Sequence, residues 1–266
     1  MKHSGFPGDA HRPAIDAPTV RWFHVGGSGT DHLAGYDAGR VTLTTCAGVL
    51  APFLGERALA ALLYLSTGLA ETVRSNASAK WNPTRFESLQ GQTVLVVGAG
   101  AAGAEFARRL RPLGCRVVGI RASGENHPHF DEMHGPEALD AWLPRANVLS
   151  LHVPLNASTR GLMDERRLRM LPAGALVLNS SRGAVLDEAA LVAGLSAGLG
   201  GAWLDVFEVE PLPVSSPLWG HPRVLVTPHC ADQVSDYPRR FAQRFASVWQ
   251  EHLGGSSPVV DSPRNS

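Results

Sequence analysis

The chain has 266 residues, 44% hydrophobic and 18% charged, a composition that suits an ordinary soluble globular protein of one large domain or two modest ones. Lysine and arginine number 24, as do aspartate and glutamate, so no basic excess points to nucleic acid or to an anionic membrane. The three cysteines (Cys46, Cys115, Cys230) have no metal-ligand or CxxC spacing and suit a reducing cytoplasm, and the apolar run 58–65 is far too short to span a bilayer.

Residues 1–18 hold Gly5, Pro7, Gly8, Pro13 and Pro18 without apolar periodicity, which predicts a flexible arm and no signal peptide. Val20–Val25 reads as a strand and runs into Gly26-Gly27-Ser28-Gly29. The bare amides of that loop suit an anion, and equally an ordinary glycine turn. Val41–Thr45 reads as a second short strand. From Leu54 to Glu71, Leu54, Ala58, Leu62, Leu65 and Leu69 recur at helical spacing, widened by Leu59, Ala60, Ala61 and Leu63, and predict a mostly buried helix.

The pattern then changes to repeated strand and helix. Val94–Val97 is an aliphatic run of the kind buried on both faces of a parallel sheet. Gly98-Ala99-Gly100-Ala101-Ala102-Gly103 follows, with a helical pattern from Ala104 to Leu113. The spacing fits a dinucleotide-binding turn: Gly98 for the tight bend, Gly100 for close approach of a pyrophosphate, Gly103 for helix–strand packing. Methyltransferases and plain structural turns share such a loop. Arg116–Ile120 is the next strand, followed by Arg121 and Ser123 where an acid would hold the ribose 2′-hydroxyl of NAD. Arg121 there suits a 2′-phosphate, or is an exposed surface residue. Glu132–His134 reads as a short edge strand, Pro136–Leu143 as a helix, and Val148–His152 as a strand closed by Pro154.

Three later strands end on chemistry. Ala175–Leu178 leads to Arg182, Ala202–Leu204 to Glu210, and Val224–Val226 to His229. In an open parallel sheet, ligands bind at these carboxyl ends. Each residue alone has an ordinary surface reading; together they predict a site. Arginine offers a planar fork to a carboxylate, histidine titrates near neutrality, and a carboxylate supports the imidazolium. With a nicotinamide, the set describes hydride transfer between a 2-hydroxy acid and a 2-oxo acid.

Gly98–Gly103, His152-Val153-Pro154-Leu155, Asn179-Ser180-Ser181-Arg182-Gly183, Asp205 to Pro211 and Thr227-Pro228-His229, in that order, resemble the D-isomer-specific 2-hydroxyacid dehydrogenases. The resemblance runs from about Val20 to Asp261. It implies a doubly wound parallel sheet (Rossmann) with a second, smaller, flavodoxin-like α/β lobe. It implies that Arg182 binds the substrate carboxylate and keto oxygen, that His229 is the acid/base with Glu210 its partner, and that Asp205 holds the nicotinamide carboxamide. Gly98, Gly100, Ala101, Ala102, Pro154 and Ser181 fall at cofactor positions, and Gly27, Ser28 and Gly29 in the loop that offers amides to the substrate carboxylate. Arg121 and Ser123 are similar to the NADP-using glyoxylate and hydroxypyruvate reductases, so NADP is expected over NAD. A homodimer through the cofactor domain is also implied.

Two departures stand out. The family's substrate lobe begins with several strand–helix units before the strand that Val20–Val25 resembles, so roughly the first half of that lobe is missing, and the chain is expected either to be incomplete or to have the gap covered by a partner or the arm. Asp232 follows His229 where small uncharged residues are more usual, and is expected to cap the next helix. Pro238–Leu253 reads as a helix with Phe241, Phe245, Val248 and Trp249 on one face. The lobes are then expected at 1–49 with 234–266, truncated at its N-terminus, and at 50–233, with the reaction in the cleft between and hinges near Val49 and Val234. The leading expectation is an NAD(P)-dependent 2-oxoacid reductase without a metal. The alternative is a dinucleotide-binding protein without turnover, a degraded enzyme or a nucleotide-responsive interaction module.

Overall fold

A computed structural model describes residues 11–33 and 35–253. The chain divides into two compact units, Met1–Ala51 with Gln233–Ser266, and Pro52–Asp232.

In the first unit, residues 11–18 depart from the flexible arm expected there. They contain a short helix, α1 (Arg12–Ile15), with Pro13 in its first turn. Ile15 is buried in a small core with Val25, Leu33, Val41 and Leu43. The Arg40 guanidinium donates to the carbonyls of Ile15, Ala17 and Val20 at 2.7–2.9 Å. One apolar anchor and one distant arginine order a stretch that has no periodicity of its own. Residues 1–10 of the expected arm lie outside the described residues. Strands β1 (Trp22–Val25) and β2 (Thr42–Thr45) then pair in parallel.

The second unit opens with α2 (Ala51–Ser66) and α3 (Leu69–Ala77). The single helix expected over 54–71 is thus two. Gly68 between them takes φ 73°, a left-handed conformation that ends one helix and starts another. Next come β3 (Thr93–Val97), α4 (Ala101–Leu110), β4 (Arg116–Ile120), β5 (Glu132–His134), α5 (Leu139–Trp142), β6 (Val148–Leu151), α6 (Glu165–Leu168), β7 (Leu176–Asn179), α7 (Glu188–Ala197), β8 (Gly201–Leu204) and β9 (Val224–Val226). The chain returns to the first unit through α8 (Tyr237–Leu253), where Phe241, Phe245 and Trp249 form a run of ring contacts beside Trp22 and His24.

All seven strands from β3 to β9 are parallel, in the order β5-β4-β3-β6-β7-β8-β9, which is the doubly wound sheet that the sequence predicts. Its strands are buried on both faces. Val94 and Val96 of β3 join one core with Ala58, Leu62, Phe106 and Leu110, while Leu95 and Val97 join the other with Leu139, Trp142, Leu191 and Leu195. Alternate side chains feed alternate layers, so the helices cover both sides. The chain moves outward from β3 first one way, to β4 and β5, and then the other, from β6 to β9. That reversal leaves a crevice at the carboxyl ends of β3 and β6, where such sheets bind ligands.

His152 closes β6 at this edge. Its Nε2 lies 2.8 Å from Ser150 Oγ and its ring packs near Phe106. The residue keeps some exposed surface, yet burial holds the imidazole down to about 4 from 6.5. Between those values an unfolded chain binds a proton that the folded one refuses, so stability is full above 6.5 and is lost as pH falls toward 4. The expected loss is about 3 kcal/mol. Chemical denaturation across that window should show it, and His152→Gln should flatten the slope.

Among the described residues, no helix is long and apolar enough to cross a membrane, and no group of three or more His, Cys, Asp or Glu is placed to hold a metal ion.

Candidate active site

The glycine turn after β3 is shaped by its neighbours. Gly98 takes φ 97°, and a Cβ there would lie 2.5 Å from the His152 carbonyl carbon. A Cβ on Gly103 would lie 2.4 Å from the Gly98 oxygen and 2.9 Å from Val96 Cγ1, so only glycine lets α4 start this close to β3. Gly100 is different: a Cβ there would meet nothing within 4 Å. It is exposed, and no side chain caps α4. The first amides of α4, at Ala101 and Ala102, therefore begin a helix whose partly positive N-terminus opens on free space. An open, glycine-lined helix start at the switch point fits a pyrophosphate, which is what the dinucleotide reading requires.

Beyond β4, Arg121 is held by its backbone, its amide donating to the His134 carbonyl at 3.0 Å. Its side chain is half-buried, and among the described residues no carboxylate pairs with it. Ser123 is exposed and its hydroxyl donates to Glu125 at 3.2 Å, an acid that the sequence reading did not weigh. Pro154, after β6, is exposed, and its carbonyl accepts the Thr159 hydroxyl at 2.6 Å.

The ends of β7, β8 and β9 lie side by side because these strands are consecutive neighbours. After β7, the buried Asn179 side chain accepts from the Ser181 amide and hydroxyl at 3.1 and 2.8 Å and donates to the Arg182 carbonyl at 3.0 Å. That bonding shapes the turn presenting Arg182, whose Nη1 donates to the Ser181 carbonyl at 2.7 Å. After β8, Glu210 accepts the Phe207 amide through Oε1 at 3.0 Å. Its other oxygen, Oε2, lies 2.7 Å from Nδ1 of His229, which follows β9. Glu210 and His229, 19 positions apart, are thus brought into contact, with each side chain about a third exposed or less.

His229 stands at φ 46°, with Ala79 one of two non-glycine residues at positive φ among the described residues. That region costs a side-chain-bearing residue about 1–2 kcal/mol. Asp205 supports it. The His229 amide donates to the Asp205 carbonyl at 2.8 Å, and the Asp205 carboxylate accepts the Cys230 and Ala231 amides, each at 3.0 Å, and the Thr227 hydroxyl at 2.5 Å. Burial pushes the Asp205 carboxyl above its ordinary range, against the downward pull of the Thr227, Ala231 and Cys230 hydrogen bonds.

Gly27, Ser28 and Gly29 belong to the first unit, in the bend that follows β1, where the Gly27 carbonyl accepts the Cys46 amide at 3.1 Å. Asp232 does not cap the next helix, which starts five residues later at Tyr237. Sequence reasoning passed over Thr227 and Trp203 as contributors. Their bonds join the neighbouring strands β8 and β9, a pairing that no spacing in the sequence signals.

A family model described as the D-isomer specific 2-hydroxyacid dehydrogenase, NAD binding domain, matches residues 59–231. The glyoxylate/hydroxypyruvate reductase A of Salmonella typhi is 42% identical over 154 residues, which cover 58% of this chain and 49% of that protein. The chain's match therefore spans about half the length of such curated relatives. A D-isomer specific 2-hydroxyacid dehydrogenase from Xanthobacter autotrophicus Py2, solved with NADPH and MES, superposes with a TM-score of 0.85 at 32% identity, over 96% of this chain and 81% of that one. The NADPH-dependent glyoxylate/hydroxypyruvate reductase of Sinorhizobium meliloti, solved with NADP and sulfate, gives 0.82 at 28% identity, over 94% and 80%.

Proposed function

The chain belongs to the D-isomer specific 2-hydroxyacid dehydrogenases, and from that premise we propose that it reduces a small 2-oxo acid, such as glyoxylate or hydroxypyruvate, with NADPH. The observation that carries this reading is the Glu210–His229 contact at the edge of the sheet where β7 also delivers Arg182.

The turn at Gly98, Gly100, Ala101 and Ala102 would hold the pyrophosphate, with Pro154, Ser181 and Asp205 along the same edge, and the bound nicotinamide would supply the hydride. Arg182 binds the substrate carboxylate through its fork and polarises the neighbouring keto group. Glu210 occupies Nδ1 of His229, which fixes the ring and leaves Nε2 to deliver the proton to the keto oxygen.

Arg121 is the proposed holder of the 2′-phosphate, supported by the absence of an acidic partner among the described residues and by the NADPH and NADP bound to the two related enzymes. Arg121→Asp should weaken NADPH binding by about ten- to a hundredfold and spare NADH, as read by fluorescence titration. Equal affinity for both cofactors in the unmutated protein would contradict a phosphate clamp.

A homodimer through the 52–232 unit and a cytoplasmic location complete the reading. Leu69, Val73, Trp81 and Phe86 expose apolar surface along one segment of that unit, and Cys46, Cys115 and Cys230 are free thiols. The whole reading is tested by screening small 2-oxo acids with NADPH and NADH. Consumption of NADPH with at least one acid is expected; binding of NADPH without consumption would favour a nucleotide-responsive module.

A further inference from the structure

We propose that Trp203, Thr227 and Asp205 form a positioning chain that holds His229 in its left-handed conformation against Glu210; its catalytic meaning rests on the reading of His229 as proton donor. The chain has a direction. The Trp203 indole, fully buried, donates to the Thr227 hydroxyl oxygen at 2.9 Å. An indole N–H can only donate, so the single Thr227 proton is left for another acceptor. It goes to Asp205 Oδ1 at 2.5 Å.

Asp205 passes the constraint on to the loop. Its Oδ1 also accepts the Cys230 amide and its Oδ2 the Ala231 amide, each at 3.0 Å, and its carbonyl accepts the His229 amide at 2.8 Å. Three consecutive amides, 229 to 231, therefore end on one residue. That residue is itself fixed: its amide donates to the Asn179 carbonyl at 2.9 Å, and it is 2% exposed. A histidine at φ 46° persists only where its surroundings over-determine it, and these bonds do so. The charge at 205 matters as well as its shape, because every group turned toward the carboxylate is a donor and asparagine would set its amide against one of them. Trp203 and Thr227 need not reach a substrate; they act through the backbone that aims the imidazole.

The test uses the full chain and histidine-selective NMR, which reads the hydrogen-bonded Nδ1 proton of His229, assigned by its loss in His229→Ala. Thr227→Val keeps the side-chain shape and removes the hydroxyl. It should give a folded protein in which that signal is lost or broadened. Turnover should fall by about ten- to a hundredfold, with cofactor binding unchanged. Thr227→Ser returns the hydroxyl and should restore both. A purely structural threonine would lower the melting temperature yet leave the signal and the turnover of the folded protein in place, and that result overturns the proposal. So does failure of serine to rescue. If Thr227→Val does not fold, Asp205→Asn carries the NMR arm of the test alone, and an unchanged His229 signal there is equally contrary. The NMR readout needs no turnover, so an unmutated protein that reduces no 2-oxo acid would defeat the proposed activity while the Thr227 series still decides the positioning.

Discussion

Replacing His229 with alanine is expected to slow reduction of the 2-oxo acid by about a hundred- to ten-thousandfold, the usual worth of a positioned general acid, while leaving NADPH affinity unchanged. The proton is needed as the keto oxygen gains charge, so its loss falls on the transition state and appears in kcat as well as kcat/KM. Arg182→Ala should differ by also raising KM, because it removes an anchor for the substrate anion in the ground state. Glu210→Gln keeps a group against Nδ1 but can turn its amide N–H toward the ring, and should lower kcat while leaving cofactor affinity unchanged. Steady-state kinetics across pH, beside a fluorescence titration of cofactor, separates these effects. A His229→Ala protein that keeps its rate would show that the proton comes from elsewhere.

The largest structural effect is expected at Gly183. A Cβ there would lie 1.8 Å from the Phe207 carbonyl carbon, 2.1 Å from its oxygen and 2.3 Å from the Glu208 nitrogen. All three are backbone atoms, so no side chain can swing aside. Gly183→Ala must push apart the turn that carries Arg182 and the loop that carries Glu210. Overpacking of this kind costs about 3 kcal/mol or more. For a unit of this size that lowers the melting temperature by roughly 6–12 °C. Gly100→Ala is the matched control, since nothing lies within 4 Å of its added carbon. It should melt like the parent and lose affinity for the dinucleotide instead. Equal melting temperatures for the Gly183→Ala and parent proteins would contradict this packing.

The parallel sheet was legible because its strands are short apolar runs that both faces must bury, as at Val94–Val97 and Val148–Leu151. The cofactor turn was legible from the spacing of Gly98, Gly100 and Gly103, each under a different local demand. Helix boundaries were harder to read. Leu65 and Leu69 continue one helical stripe straight through Gly68, and periodicity does not register the backbone reversal made there. The order at α1 depends on Arg40, more than twenty residues away, reaching back to three carbonyls. Within the site, Arg182, Glu210 and His229 stood out as strand-end residues with recognisable chemistry. The bonds that aim them were hidden: Asn179 shapes the Arg182 turn through side-chain bonds to Ser181 and Arg182, while Trp203 and Thr227 act between neighbouring strands, and neither pairing shows in one dimension.

Direct hydride transfer to a 2-oxo acid is the reaction proposed at the carboxyl edge of this sheet. It is tested most directly with hydroxypyruvate and NADPH deuterated at the transferring carbon, the product being analysed for label and configuration. The expected product is a D-configured hydroxy acid carrying deuterium at C2, formed about a hundred- to ten-thousandfold more slowly by His229→Ala. An NADPH-bound protein that forms no product, or forms one without label at C2, would contradict it.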